Sequence, residues 1–179
     1  MKIALLTLKL TPYNVTFRIT LQFEKNTSHS GLPTYHYVPP KSTLGSHIDE
    51  DLSTRNVNNS CYCLDLQGFP CLNSGVFSME PCKVTPDTPR GSPIAFSWPH
   101  FYQADPSFLA AVSGLNPNKE KHQFYLDVSP EFGIPLAVRP RLQINAIIRK
   151  DEDIESMRLG IRNKIILTQV LFSVNSLMN

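Results

Sequence analysis

Between Phe17 and Phe23 apolar and polar residues alternate without a fault (Phe17-Arg-Ile-Thr-Leu-Gln-Phe23). That period of two predicts a half-buried strand, because successive side chains leave a strand on opposite faces. Pro33 to Val38 predicts a second strand with Tyr35 and Tyr37 on one face, and Ile94 to Trp98 a short apolar one between Pro93 and Pro99. Gln123 to Val128 and Leu136 to Val138 fit the arms of a hairpin across Ser129-Pro-Glu-Phe-Gly133. Leu142, Ile144, Ala146 and Ile148 again alternate with more polar neighbours, the strongest strand pattern after the first. Helical signals are fewer. Asp105 suits an N-cap, Pro106 the first helical position and Gly114 the end of a short helix; Asp151 to Leu159, stopped by Gly160, fits another. Pro39 to Ser60 is polar and aperiodic and reads as a long connection or a disulfide-bounded loop. The sum is a mainly β protein, antiparallel with minor helices, in one domain.

Composition adds three constraints. The 179 residues suffice for one core, and 41% hydrophobic against 18% charged residues marks a folded chain. Fifteen prolines against eight glycines favour short strands and irregular connections over long helices. A net charge of +2, with no basic run carrying interleaved aromatics, argues against a nucleic-acid partner.

Cys61, Cys63, Cys71 and Cys82 fall in one loop-like stretch. A single Cys-x-Cys is a poor match to zinc spacings, and closely spaced loop cysteines point to disulfides and an oxidising compartment. Three glycosylation sequons agree, at Asn14, Asn26 and Asn58. Entry signals do not match this chemistry. The apolar run Ile3 to Leu8 is cut by Lys9 and makes a poor signal peptide. Ile165 to Met178 is too short to span a bilayer and is interrupted by Gln169 and Asn175. A secretory composition without a route into the secretory pathway suggests a piece of a longer protein.

Covalent chemistry finds little support. His100 and Asp105 bracket Phe-Tyr-Gln-Ala, but no Gly-x-Ser-x-Gly elbow accompanies them, so His100 is expected to be structural. Asp127 and Glu131 read as water-facing acids of a turn rather than an acid–base pair. His29, His36, His47, His100 and His122 lack metal-ligand spacing, the run Lys150 to Glu155 reads as a solvated helix face, and there is no phosphate loop. No enzyme activity, metal or cofactor is expected.

Longer blocks carry a resemblance. Pro93-Ile-Ala-Phe-Ser-Trp-Pro-His-Phe-Tyr-Gln-Ala-Asp105 is followed by Gly114-Leu-Asn-Pro, Lys121-His-Gln-Phe-Tyr-Leu-Asp-Val128, Pro130-Glu-Phe-Gly133 and Arg141-Leu-Gln-Ile-Asn145. With Gly31-Leu-Pro-Thr-Tyr upstream and the cysteine spacing, the stretch from about Gly31 to about Ile166 resembles the class B scavenger receptor family, in phrasing most similar to insect epithelial-type members. The resemblance implies a partial antiparallel β-barrel-like core from a glycosylated ectodomain at the plasma membrane. Its family partners are lipids or lipoproteins, carried through a hydrophobic tunnel. The membrane helices and helical bundle of that pattern are absent from this sequence, so residues 14–166 are expected to be the C-terminal part of such an ectodomain. Residues 1–13 form an uncertain start and 167–179 a divergent tail.

The resemblance also implies a Cys63–Cys71 disulfide, contributing about 2–3 kcal/mol for so small a loop. Cys61 and Cys82 would lose upstream partners, since Thr16 and Phe17 stand near one of those positions, and would pair with each other or stay free. Pro140 departs from the family pattern and suggests a bulge or an edge. Phe96, Leu142 and Ile144 are open to either of two roles, tunnel lining or core packing. The competing function is a small secreted adhesion or carbohydrate-binding module stapled by two disulfides.

Overall fold

The computed structural model describes residues 3–10, 15–63, 71–83, 93–148 and 166–170. Its strands are Ile3–Leu10 (β1), Val15–His29 (β2), Leu32–Val38 (β3), Val76–Ser78 (β4), Ile94–Ser97 (β5), Tyr125–Val128 (β6), Pro135–Arg139 (β7), Gln143–Ile148 (β8) and Ile166–Val170 (β9). They form a sheet in the order β1-β2-β3-β6-β7 and another in the order β4-β5-β8-β9, with every neighbouring pair antiparallel. Among the described residues the sheets do not close into a barrel.

β2 continues well beyond the alternating segment. Its register against β3 shifts between Phe23 and Lys25, so Phe23 faces Tyr37 and Lys25 faces His36. Such a bulge breaks the period of two, which is why the sequence pattern stops there. Ser30 and Gly31, at φ 51° and 81°, join β2 to β3 with the positive-φ pair that a two-residue hairpin turn of the primed type requires. The apolar run near the N-terminus is a strand, with Ile3 opposite Gln22 and Leu10 opposite Val15. β4 and β9 also lie outside the expected strands.

The main core lies between the sheets. One contributes Ile19, Leu21, Tyr37 and Leu126, the other Phe77 and Phe96, with Leu44, Met79, Trp98 and Phe124 filling the remainder. Full burial of each such side chain contributes about 1.5–3 kcal/mol. Leu142 and Ile144 pack against this cluster, of which Phe96 is a member. Behind the four-stranded sheet lies a second cluster, Val76, Ala95, Phe101 and Ile147, against which Phe108 and Leu109 of helix α1 (Pro106–Ala111) pack.

β8 is therefore covered on both faces. Its alternation marks the apolar positions as the buried side, yet Gln143 and Asn145 have no exposed surface while Leu142, Ile144 and Ala146 are half-buried. Helix α1 is N-capped by Asp105, whose side chain accepts from Ser107 N, but it ends at Val112, and Gly114 lies beyond it in the following turn. A second short helix, α2 (Lys119–His122), is capped by Asn118. Within the long polar connection, 3₁₀ turns form at Lys41–Leu44 and Val57–Tyr62. Pro140 stands exposed where the chain crosses from β7 to β8. The segments Asp151 to Leu159 and Lys150 to Glu155 lie outside the described residues. No helix among the described residues is long and apolar enough to cross a membrane.

Candidate functional site

The polar stretch before the first cysteines is held by its own side chains. Asn56 Nδ2 donates to Ser42 O at 2.8 Å, and Asn59 Nδ2 donates to Thr43 O at 3.1 Å and Gly45 O at 2.9 Å. These amides tie the turn at Val57–Tyr62 onto the turn at Lys41–Leu44. Asp49 accepts from Ser74 Oγ at 2.5 Å and Thr54 Oγ1 at 2.7 Å, which together hold its carboxyl below the usual carboxylate range. Cys63 then ends the second turn and is bonded to Cys71, with Cα atoms 5.0 Å apart. Cys61 is exposed and free. The 3₁₀ turn Glu80–Lys83 carries Cys82 and lies against the turn bearing Cys61, but the Cys82 side chain lies outside the described residues.

Leu44, His47, Tyr62 and Phe77 line a shallow cleft beside the disulfide. His47 comes within 4.8 Å of both sulfurs, a proximity that sequence spacing gave no sign of, and its Nδ1 is buried without a hydrogen-bond partner. The donor set resembles a metal site only in composition. Sulfurs bonded to each other offer no thiolates, and thiolates are what a metal would require.

A polar cluster crosses the outer face of the five-stranded sheet. His36 Nδ1 donates to Asp127 Oδ1 at 2.5 Å, and its Nε2 lies 3.9 Å from Glu24, which is paired with Lys119 at 2.6 Å. Asp127 is thus buried and partnered, contrary to the water-facing position expected of it. The reason is register: β3 and β6 place Asp127 directly opposite His36. Glu131 remains exposed in the turn.

His100 is held by contacts with Gln143, Asn116 and His122. It follows β5 at φ 54° and stacks on His122 with ring centroids 4.5 Å apart and 12° between planes. Its backbone N–H donates to Gln143 Oε1 at 2.9 Å. Gln143 Nε2 donates to Asn145 Oδ1 at 2.6 Å, and Asn145 Nδ2 donates to Ser97 Oγ at 3.0 Å and Ala95 O at 3.4 Å. A chain of buried amides thereby links β5, β8 and the strained segment after Trp98.

Of the sequons, Asn26 and Asn58 are exposed, as acceptors must be, and Asn14 lies outside the described residues. Asn58 belongs to the 3₁₀ turn that leads to the disulfide, and Asn26 stands on β2 opposite Tyr35.

Comparison with known proteins bears on the whole of this frame. Residues 14–168 match the CD36 family. Lysosome membrane protein 2 of Mus musculus is 34% identical over 146 residues, 82% of this chain and 27% of the relative. Scavenger receptor class B member 1 of Cricetulus griseus is 37% identical over 120 residues, 66% of this chain and 20% of the relative. Protein peste of Drosophila melanogaster is 36% identical over 112 residues, 63% and 19% respectively. The chain spans about a quarter or less of each relative's length.

Proposed function

Because the chain belongs to the CD36 family, that of the class B scavenger receptors, we propose that it is ectodomain substance of a membrane receptor for lipids or lipoproteins. It works by binding and transfer rather than by covalent chemistry. The family match over residues 14–168 carries this reading. Supporting it, the interior between the sheets is rich in large apolar and aromatic side chains, and His36, Asp127, His100 and His122 are engaged in structural contacts. An exposed Asn26 and Asn58 suit glycans on an outward or luminal surface at the plasma membrane, and the Cys63–Cys71 bond suits an oxidising compartment.

The test is direct. The oxidised chain, immobilised, is offered fluorescently labelled low-density lipoprotein and, separately, phosphatidylcholine vesicles carrying a fluorescent sterol. Saturable capture that unlabelled lipoprotein displaces is the expected result. A cooperatively folded sample that captures neither at micromolar concentration would remove ligand binding from this part of the receptor.

A further inference from the structure

His100 and His122 arrive from different parts of the fold, one just after β5 and the other at the end of α2, immediately before β6. Each ring uses its Nδ1 lone pair on a backbone N–H of the same short segment. Asn116 N donates to His100 Nδ1 at 3.2 Å, and Asn118 N donates to His122 Nδ1 at 2.9 Å. A ring nitrogen that accepts carries no hydrogen, so both neutral imidazoles are held with the proton on Nε2. Protonating either ring places a hydrogen on Nδ1, and two donors then face each other. That bond is lost outright, not weakened.

The segment so held has mechanical reach. Leu115, at its start, packs against the cluster behind the four-stranded sheet. Lys119, just past its end, pairs with Glu24 of β2 in the other sheet. Residues 115–119 therefore form a strap from one sheet's outer layer to the other sheet, and the two histidines fasten its middle.

We propose that the His100–His122 stack is an acid-released clasp: closed near neutral pH, it lets go of Asn116 and Asn118 on acidification while the two sheets stay folded. The surroundings favour the closed, neutral form. Burial first, then the charge of His100 once protonated and those of Arg141 and Lys121, hold the His122 imidazole below its ordinary value of 6.5. Arg141 is itself fixed beside α2, donating to Glu120 O and to Gln123 O at 2.5 and 3.2 Å. With the folded value depressed, the unclasped or unfolded chain binds more protons once pH drops below 6.5. The clasp's stabilisation is thus complete above that pH and is lost as pH falls through the depressed value.

Hydrogen exchange of the oxidised full chain, corrected for intrinsic rates, tests this at about pH 7.5 and about pH 5. Protection at Asn116 and Asn118 is expected to drop roughly tenfold or more at the lower pH, the loss of one hydrogen bond in each case. Protection in β3 and β6 should hold. In His122→Asn the side-chain oxygen can still accept from Asn118 but does not titrate, so the drop at Asn118 should vanish. Equal protection of the wild type at both pH values, or an unchanged drop in the variant, overturns the proposal. Nitrogen NMR of the wild-type histidines at about pH 7.5 gives a reading independent of the variant's folding. Unprotonated Nδ1 in both rings is expected, and a hydrogen on either Nδ1 refutes the clasp.

Discussion

Asn145→Ala removes a side chain with no exposed surface from the centre of the amide chain. Three hydrogen bonds go with it, two donated to Ser97 Oγ and Ala95 O and one accepted from Gln143 Nε2. The mean worth of such bonds is not the main term. Ser97 Oγ loses its amide donor and Gln143 Nε2 loses one acceptor inside a sheet covered on both faces, and a buried polar group deprived of a partner costs about 1–3 kcal/mol. Incomplete collapse around the missing amide adds about 1 kcal/mol. The sum, about 2–4 kcal/mol, is a large share of the roughly 5–15 kcal/mol that holds a domain folded. Guanidinium unfolding of the oxidised chain, followed by emission of Trp98, measures it; Trp98 is the only tryptophan and is 1% exposed. Gln143→Ala/Asn145→Ala should cost less than the sum of the single changes by about 1 kcal/mol or more, because each single change already removes the same Gln143–Asn145 bond. A single-variant loss within about 0.5 kcal/mol of zero, or additivity within about 0.3 kcal/mol, would refute the account of a buried, mutually satisfied seam.

Two further outcomes follow from local geometry. Gly75 sits at φ 93° with its absent Cβ directed into Ala104, so Gly75→Ala should cost more than about 3 kcal/mol or abolish soluble expression, read from the same unfolding curves. Native alkylation followed by non-reducing peptide mapping should label Cys61 and recover residues 63 and 71 as one linked species; a Cys61–Cys82 linkage would instead show that the two adjoining 3₁₀ turns are cross-linked.

The family and the β class were legible in the sequence because both rest on local features, namely ordered residue blocks and period-two alternation. The strands around Phe17–Phe23, Pro33–Val38, Ile94–Trp98 and the 123–138 hairpin were visible for the same reason. What escaped depended on pairing. Ile3–Leu10 opens on four apolar residues in a row and becomes a strand because residues 15–22 of β2 pair with it along its whole length. Val76–Ser78 is too short for any periodic signal, and its three residues are buried because β5 lies beside them. Asp127 was misplaced because its partner His36 lies 91 positions away in the sequence. Nothing near Asp127 marks it as buried. The cluster of His47 with two cysteines forms only in the folded connection between β3 and β4, and the stacking of His100 on His122 only after the chain has crossed between sheets.

β8 shows why alternation can locate a strand and still assign its faces incompletely. A period of two distinguishes two faces, and the usual inference gives the apolar one to the core. That inference assumes water on the other side. Here both faces are covered, so Gln143 and Asn145 are buried more deeply than Leu142 and Ile144, at the cost of needing polar partners. They find them in each other, in Ser97 across the sheet and in the His100 backbone N–H. The last contact reaches a strained segment. His100, Phe101 and Gln103 all adopt positive φ, a conformation costing non-glycine residues about 1–3 kcal/mol each unless the surroundings over-determine it. Gln143 holds the first of them from below and Asn116 from above, while Phe101 is locked into the second cluster. The seam and the proposed clasp are thus one mechanical unit: the buried amides fix the backbone that carries His100, so that protonation frees the strap without loosening the sheets beneath it.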